Sequence, residues 1–280
     1  MIEKYIHQIW IQGIQHLNTH NKTFVKYSRK IQELFSDCEY KLWDDNMIRE
    51  DMEDENPELY NVYITTKQFA AKSDIARYYI LNKYGGIYID MDYEAFENFY
   101  WLFAGEINLA VVIPSKTFGQ KQLFNSYVNS SYGINNCIIG CCKDSIVMDY
   151  IINKIIKQTS KTKYRNWKWI MTITGPTALE NAVLKFKNTE IIRFLPTSML
   201  EPIHHMDGTY NIECRNKQMC KDIFPLAVGI HRPSLSWFEN KHMLKNVLYF
   251  YDFCEKWWLF IFLFLVYIIF IIVINKKYGT

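Results

Sequence analysis

A chain of 280 residues, 49% of them hydrophobic, is long enough for one sizeable domain plus an appendage. A formal net charge of +3 is close to balance and gives no reason to expect a nucleic-acid partner. The seven cysteines form no C-x-x-C pair, which argues against a structural zinc site.

Strand and helix signals alternate through residues 1–240, the pattern of an α/β domain. Residues 5–11 read as a strand, 23–35 carry helical spacing, and 39–42 read as a second strand. Residues 45–56 are an acidic loop or short helix, and 66–83 a longer helix. Strands are expected at 87–89, 109–113 and 137–139, followed by an amphipathic helix over 144–158. Pro176 suits the first turn of a helix running to Lys185, with Thr174 or Gly175 as its cap. Residues 191–195 and 226–230 read as late strands. Cys214 and Cys220 could bridge in an oxidising compartment, but free buried thiols are the favoured reading.

Residues 241–256 then lead into 257–274, an unbroken run of 18 residues with no charge and no glycine. At the helical rise this run spans about 27 Å, the core of a thin bilayer. Trp257, Trp258 and Tyr278 provide aromatic collars, and Lys256, Lys276 and Lys277 flank the run. A core helix would show a polar face over five turns, so a single transmembrane helix is predicted, followed by a short tail at 275–280. No apolar leader precedes residue 5, and six residues follow the run. The expectation is therefore a C-terminal anchor inserted after synthesis, with 1–256 on the cytosolic side.

The most informative block is 73–92, SDIARYYILNKYGGIYIDMD. Asp74 and Arg77 stand at i and i+3 and project from one helix face. Gly85 and Gly86 can adopt the positive φ that closes a helix. Ile87-Tyr88-Ile89 reads as a buried strand, and Asp90 and Asp92 follow at i and i+2. Two carboxylates aimed at one spot repel unless a cation lies between them, and hard oxygen donors suit Mg²⁺ or Mn²⁺. A divalent ion held by few carboxylates commonly also holds phosphate oxygens, so the block predicts a metal–diphosphate site. The blander readings are an exposed turn for the two aspartates and a structural ion pair for Asp74 and Arg77.

The full pattern S-D-I-x-R-Y-x-x-L-x-x-x-G-G-x-Y-x-D-x-D resembles the signature of glycosyltransferase family 32, the DXD sugar-binding transferases. That family includes initiating α-1,6-mannosyltransferases and mannosyl-inositolphosphoceramide synthases, and it is related to the glucosyltransferase domains of clostridial toxins. IHQIW at 6–10, YKLWD at 40–44 and HRPSLSW at 231–237 resemble further family segments in family order. The resemblance implies a GT-A-like domain, a nucleotide-diphosphate sugar donor, Mn²⁺ or Mg²⁺, and retention of anomeric configuration. It implies that Asp90 and Asp92 bind the metal and donor, and that Asp74 and Arg77 contact ribose, donor sugar or phosphate. It also implies base stacking by Trp10, donor contact by Asn136, and a closing loop in which His231 ligates the metal and Ser236 and Trp237 touch the diphosphate. Core packing remains the alternative for Trp10. The departure Arg232-Pro233 leaves the role of the closing loop open.

The expected activity is transfer of a hexose (mannose, galactose or glucose) to a lipid, glycan or protein acceptor, with mannosyl-inositolphosphoceramide-type synthesis as one form. The resemblance implies an endoplasmic reticulum or Golgi-type membrane. A haloacid dehalogenase-type phosphatase or phosphotransferase also places D-x-D after an apolar strand, but it needs that strand first in the domain. A non-catalytic sugar-binding relative would not need the complete Asp74, Arg77, Asp90 and Asp92 set.

Overall fold

The computed structural model of the protein describes residues 1–113, 133–159, 169–202, 214 and 216–232. Within them, β1 (Tyr5–Ile9) leads through α1 (Gly13–His20) and α2 (Lys22–Leu34) to β2 (Glu39–Trp43). Next come α3 (Asp45–Glu53), α4 (Pro57–Thr65) and α5 (Phe69–Tyr84), then β3 (Gly86–Ile89) and β4 (Tyr93–Ala95). β5 (Leu109–Ile113) and β6 (Asn135–Cys141) follow, then helices Ile146–Thr159 and Pro176–Phe186, β7 (Ile192–Pro196), helix Lys217–Ile223 and β8 (Gly229–His231).

Six strands form one mixed sheet in the order β2-β1-β3-β6-β5-β7. β1 runs parallel to β2 and β3, whereas β6 is antiparallel to both β3 and β5. The predicted α/β class therefore holds, with an antiparallel strand inside the sheet. β4 and β8 form a separate two-stranded antiparallel sheet.

Both faces of the main sheet are covered. Along β3, Ile87 and Ile89 join the cluster that contains Ile6, Phe99 and Phe103, while Tyr88 points into the cluster beneath α3, α4 and α5. This is the period-two alternation of a strand buried on both sides. α5 is buried continuously from Asp74 to Leu81, so its charged residues sit inside the protein.

The glycine pair between α5 and β3 works as the sequence indicates. Gly85 caps the helix at φ 66°, and Gly86 takes φ 94°. A Cβ on Gly86 would lie 2.7 Å from the Tyr5 carbonyl oxygen, so β1 approaches too closely for any other residue. His7 of β1 adds a buried polar tie: its Nε2 lies 2.9 Å from the Gly85 carbonyl oxygen, and its Nδ1 accepts from the Trp43 indole N–H at 3.2 Å.

Two expectations need correction, on the late strand and on the cysteines, and two stretches gain detail. Of the two readings of 45–56, acidic loop or short helix, the helix holds: it is capped by the Asp44 side chain accepting from the Met47 N–H, and a second helix starts at Pro57 behind an Asn56 cap. α1 occupies a stretch for which the sequence offered no element. The strand expected over 226–230 is confined to Gly229–His231, because its partner β4 offers only three residues. Cys214 and Cys220 form a disulfide rather than remaining free thiols. Their Cα atoms are 4.6 Å apart, because Cys220 sits one turn into helix Lys217–Ile223 and faces the segment that enters it.

Among the described residues no helix is long and apolar enough to cross a membrane. The run at 257–274, with Ser236 and Trp237, lies outside the described residues.

Candidate active site

β3 ends at Ile89, and Asp90, Met91 and Asp92 form the link into β4. The link is held from below. The Asp90 N–H donates to the Cys137 carbonyl at 2.8 Å, and the Gln8 amide donates to the Asp90 carbonyl at 3.3 Å. Gln8 is itself fixed, since the Tyr40 hydroxyl donates to its Oε1 at 2.9 Å. The antiparallel pairing of β4 with β8 sets Tyr93 opposite His231, which returns His231 to the aspartates from far along the chain.

Asp90, Asp92 and His231 converge. Each offers one ligand atom, and these atoms lie within 4.8 Å of one another. His231 Nε2 is 3.0 Å from Asp92 Oδ1 and 3.9 Å from Asp90 Oδ2. Burial alone would lower the His231 imidazole, but the charge and hydrogen bond of Asp92, helped by Glu201 and Asp90, raise it to about 9. Burial raises the Asp90 carboxyl, partly opposed by Arg77. A cluster that favours a positive imidazole between carboxylates favours a divalent cation in the same place. Two hard carboxylates and one imidazole fit Mn²⁺ or Mg²⁺.

Behind this cluster lies a buried polar network. Arg77 Nη1 donates to Asp74 Oδ1 at 2.7 Å, and Nη2 donates to Asp90 Oδ1 at 3.0 Å. The Tyr88 hydroxyl reaches the same Asp90 oxygen at 2.6 Å, and the guanidinium carbon lies 4.3 Å from the Tyr88 ring centre. Asn136 Nδ2 donates to Asp74 Oδ1 at 2.9 Å, and Thr174 Oγ1 donates to Asp74 Oδ2 at 3.2 Å. Burial pushes the Asp74 carboxyl up to about 7, with Arg77 opposing the shift. Asp74 and Arg77 are therefore an interior pair joined to the first aspartate, not a surface ion pair.

Asp74, Arg77, Asp90, Asp92, Asn136 and His231 thus meet in one region. Trp10 stands just past β1, half-buried and edge-on to Phe24, with its indole N–H donating to His16 at 3.3 Å. It packs in the cluster that contains Met91, the residue between the two aspartates. The Arg232 guanidinium, at the departure from the family pattern, pairs with Glu94 at 2.6 Å, and its backbone N–H donates to the Asp92 carbonyl at 3.0 Å.

Sequence reasoning missed Tyr88 as a polar contributor and gave Thr174 only as a candidate helix cap. The spacing Tyr88-x-Asp90 puts the phenol beside the aspartate and was available as a signal. Glu201 and Cys137 were missed as well. The buried Glu201 carboxylate pairs with the Cys137 thiol and accepts from Asn135 Nδ2 at 3.0 Å. A ligand atom from each of Glu201, Cys137 and His231 falls within 4.8 Å of the others. No local motif marks Glu201.

The phosphatase alternative finds no support here. A phosphoryl-accepting aspartate needs a free carboxylate oxygen on a first strand, whereas Asp90 follows β3 and has one oxygen held by both Arg77 and Tyr88.

The family described as a glycosyltransferase sugar-binding region containing DXD motif matches residues 21–110. An uncharacterized glycosyltransferase of Acanthamoeba polyphaga mimivirus is 28% identical over 258 residues, covering 87% of this chain and 91% of the viral protein. Inositol phosphoceramide mannosyltransferase 3 of Schizosaccharomyces pombe is 35% identical over 91 residues, 32% of this chain and 24% of the fission-yeast protein. A mannosyl phosphorylinositol ceramide synthase of Saccharomyces cerevisiae is 25% identical over 211 residues, 75% of this chain and 49% of the yeast protein. The chain thus spans less than half the length of either fungal relative. Among solved structures, the PaToxG glycosyltransferase aligns with 67% of this chain and 69% of its own at 16% identity and a TM-score of 0.47. Asp74, Arg77, Asp90 and Asp92 all lie inside the stretch of this chain that matches the glycosyltransferase sugar-binding region containing the DXD motif.

Proposed function

We propose that this protein is a metal-dependent, retaining hexosyltransferase of GT-A type that takes a hexose from a nucleotide-diphosphate sugar. The acceptor we favour is membrane-borne, with an inositol-phosphoceramide-like lipid ahead of glycan or protein, because two fungal relatives are named for that chemistry. The observation that carries the reading is the convergence of Asp90, Asp92 and His231 on one spot, directly against the buried Asp74–Arg77 network.

Asp92, Asp90 Oδ2 and His231 would hold Mn²⁺ or Mg²⁺, which supplies Lewis-acid stabilisation of the departing diphosphate. Arg77 fixes Asp90 in place and holds its second oxygen away from the metal side. Asp74, gripped by Asn136 and Thr174, presents a carboxylate edge suited to sugar or ribose hydroxyls. Trp10 offers its face to the base. Attack by the acceptor hydroxyl on the face that the diphosphate leaves forms the new glycosidic bond as the sugar–phosphate bond breaks, and the acceptor proton passes to the diphosphate. Retention follows without a covalent intermediate. Ser236 and Trp237 complete the reading as diphosphate contacts.

The domain is taken as 1–240, joined by 241–256 to a bilayer anchor at 257–274, with 275–280 as a tail. Residues 1–256 are assigned to the cytosolic face of an endoplasmic reticulum or Golgi-type membrane. A panel of UDP- and GDP-sugars tested for Mn²⁺-dependent hydrolysis examines the core of the reading. One donor turning over with Mn²⁺ and stopping with EDTA is expected. Turnover that is indifferent to EDTA, or no donor turning over at all, overturns it.

A further inference from the structure

Beneath the two aspartates, three side chains of different chemistry meet: Cys137 of β6, Glu201 just after the short helix Thr197–Leu200, and His231 of β8. One ligand atom from each lies within 4.8 Å of the other two. Cys137 is 0% exposed and Glu201 2%. The three come from distant segments, so no spacing in the chain announces them.

Two observations show that this cluster lacks a partner. Glu201 accepts from the Cys137 thiol and from Asn135 Nδ2, but among the described residues no lysine or arginine pairs with it. His231 is engaged with Asp92 at 3.0 Å. A carboxylate buried without a paired cation is costly. The second observation is Tyr93, wholly buried on β4 opposite His231. Its hydroxyl has no hydrogen-bond partner among the described residues and lies within electrostatic reach of Cys137 and Glu201. A buried hydroxyl needs a partner, and this one sits at the cluster.

We propose that Cys137, Glu201 and His231 form an inhibitory site for a thiophilic divalent cation, with Zn²⁺ as its occupant. Thiolate, carboxylate and imidazole are all zinc donors, and three of them leave one tetrahedral position for a water, which the Tyr93 hydroxyl can bond. The Zn–S bond forms as the thiol proton leaves to solvent, and His231 binds as the neutral imidazole. Mn²⁺ and Mg²⁺ prefer hard oxygen donors, so softness separates this cluster from the aspartate pair. A neutral imidazole has one acceptor nitrogen and ligates one metal at a time. Zn²⁺ bound here therefore withdraws His231 from Asp90 and Asp92. The inhibition rests on the reading of those three residues as the transferase metal site, whereas Zn²⁺ binding does not.

The test uses the full chain in detergent micelles as wild type, Cys137→Ala and Glu201→Gln. Replacing the Cys137 side chain keeps the backbone carbonyl that holds the Asp90 N–H, so Mn²⁺-dependent donor hydrolysis without Zn²⁺ is expected to be unchanged. Titration with Co²⁺ reads the site directly, because a bound thiolate gives a sulfur-to-cobalt charge-transfer band. The band is expected in wild type, displaced by Zn²⁺, and absent in Cys137→Ala. In Glu201→Gln the Co²⁺ needed for half-saturation should rise about tenfold or more. Zn²⁺ should inhibit donor hydrolysis by wild type, with about tenfold or more Zn²⁺ needed for either variant. No band in wild type, or a band that survives in Cys137→Ala, overturns the site. Equal Zn²⁺ inhibition of wild type and Cys137→Ala overturns the inhibitory role. Should Cys137→Ala fail to fold, Glu201→Gln decides, and an unchanged half-saturation overturns the site. If wild type hydrolyses no donor while the band still depends on Cys137, the transferase reading fails and the zinc site stands.

Discussion

Arg77 Nη2 lies 3.0 Å from Oδ1 of Asp90, although the two residues sit on different elements and are separated by the Gly85–Gly86 turn. The guanidinium also holds Asp74 at 2.7 Å through its other nitrogen. One planar fork therefore ties the helix carboxylate to the first carboxylate of the D-x-D pair, with a Tyr88 ring against it. The other Asp90 oxygen, on the His231 side, is oriented by a group that a point charge cannot replace.

Substituting Arg77 tests that relationship. Arg77→Lys keeps a charge but reaches only one of the two carboxylates, so kcat/KM for the donor should fall by about 10²-fold. Arg77→Ala leaves two carboxylates buried without a cation and should cost about 3–5 kcal/mol of stability. Denaturant titration alongside donor hydrolysis checks both. An Arg77→Lys protein with wild-type kinetics would leave the fork with a purely structural role.

Asp92→Asn probes the metal. The side chain is on the rim of the site, bonded to His231, so the fold should persist while one charged ligand is lost. Mn²⁺ affinity, read by electron paramagnetic resonance of the free ion, should weaken, and donor turnover should drop by about 10²-fold or more. Unchanged Mn²⁺ binding with normal turnover would move the metal elsewhere.

Much of this site could be read from the chain because it is local. Helical spacing put Asp74 beside Arg77, the glycine pair marked the turn, and the run Ile87-Tyr88-Ile89 marked a buried strand leading to the two aspartates. The link from Arg77 to Asp90 was not readable, because it depends on how α5 folds back against β3. Glu201 and Cys137 lie on segments 64 residues apart and meet only through the fold. α1 went unseen because Gly13–His20 buries Leu17 alone and so carries no apolar stripe. His231 came into view only through the resemblance of 231–237 to a family segment, and what delivers it to the aspartates is the pairing of Tyr93 with His231.

Buried His7 predicts a pH dependence of stability independent of the active site. Burial, with nearby Lys41, lowers its imidazole to about 4, against the pull of the Gly85 carbonyl. The hydrogen bonds explain the sign: Nδ1 already accepts from the Trp43 indole, so a second proton has nowhere favourable to go. Between pH 6.5 and 4 the unfolded chain binds the proton that the folded chain refuses. Stability should therefore fall as pH drops through that window, by up to about 3 kcal/mol, and this contribution should level off below pH 4. His7→Gln should flatten that part of the stability–pH curve measured by urea unfolding. An unchanged slope would assign the dependence to other groups.

The Cys214–Cys220 bond sets a test for the membrane side. A disulfide of this kind persists in an oxidising lumen and is kept reduced in the cytosol. The cytosolic placement of 1–256 therefore requires the two thiols to be free in cells, despite the geometry that joins them in the folded chain. Intact cells can be treated with a membrane-permeant alkylating agent, then lysed, reduced and labelled with a second, heavier reagent. Cytosolic placement predicts that Cys214 and Cys220 carry the first label, and that protease added outside sealed vesicles digests the domain. Lumenal placement predicts the second label on both cysteines and full protease protection. In that case a Cys214→Ser, Cys220→Ser protein should lose about 2 kcal/mol of stability, as expected for a short closed loop. Labelling and protection report on different features of the chain, so agreement between them fixes the side.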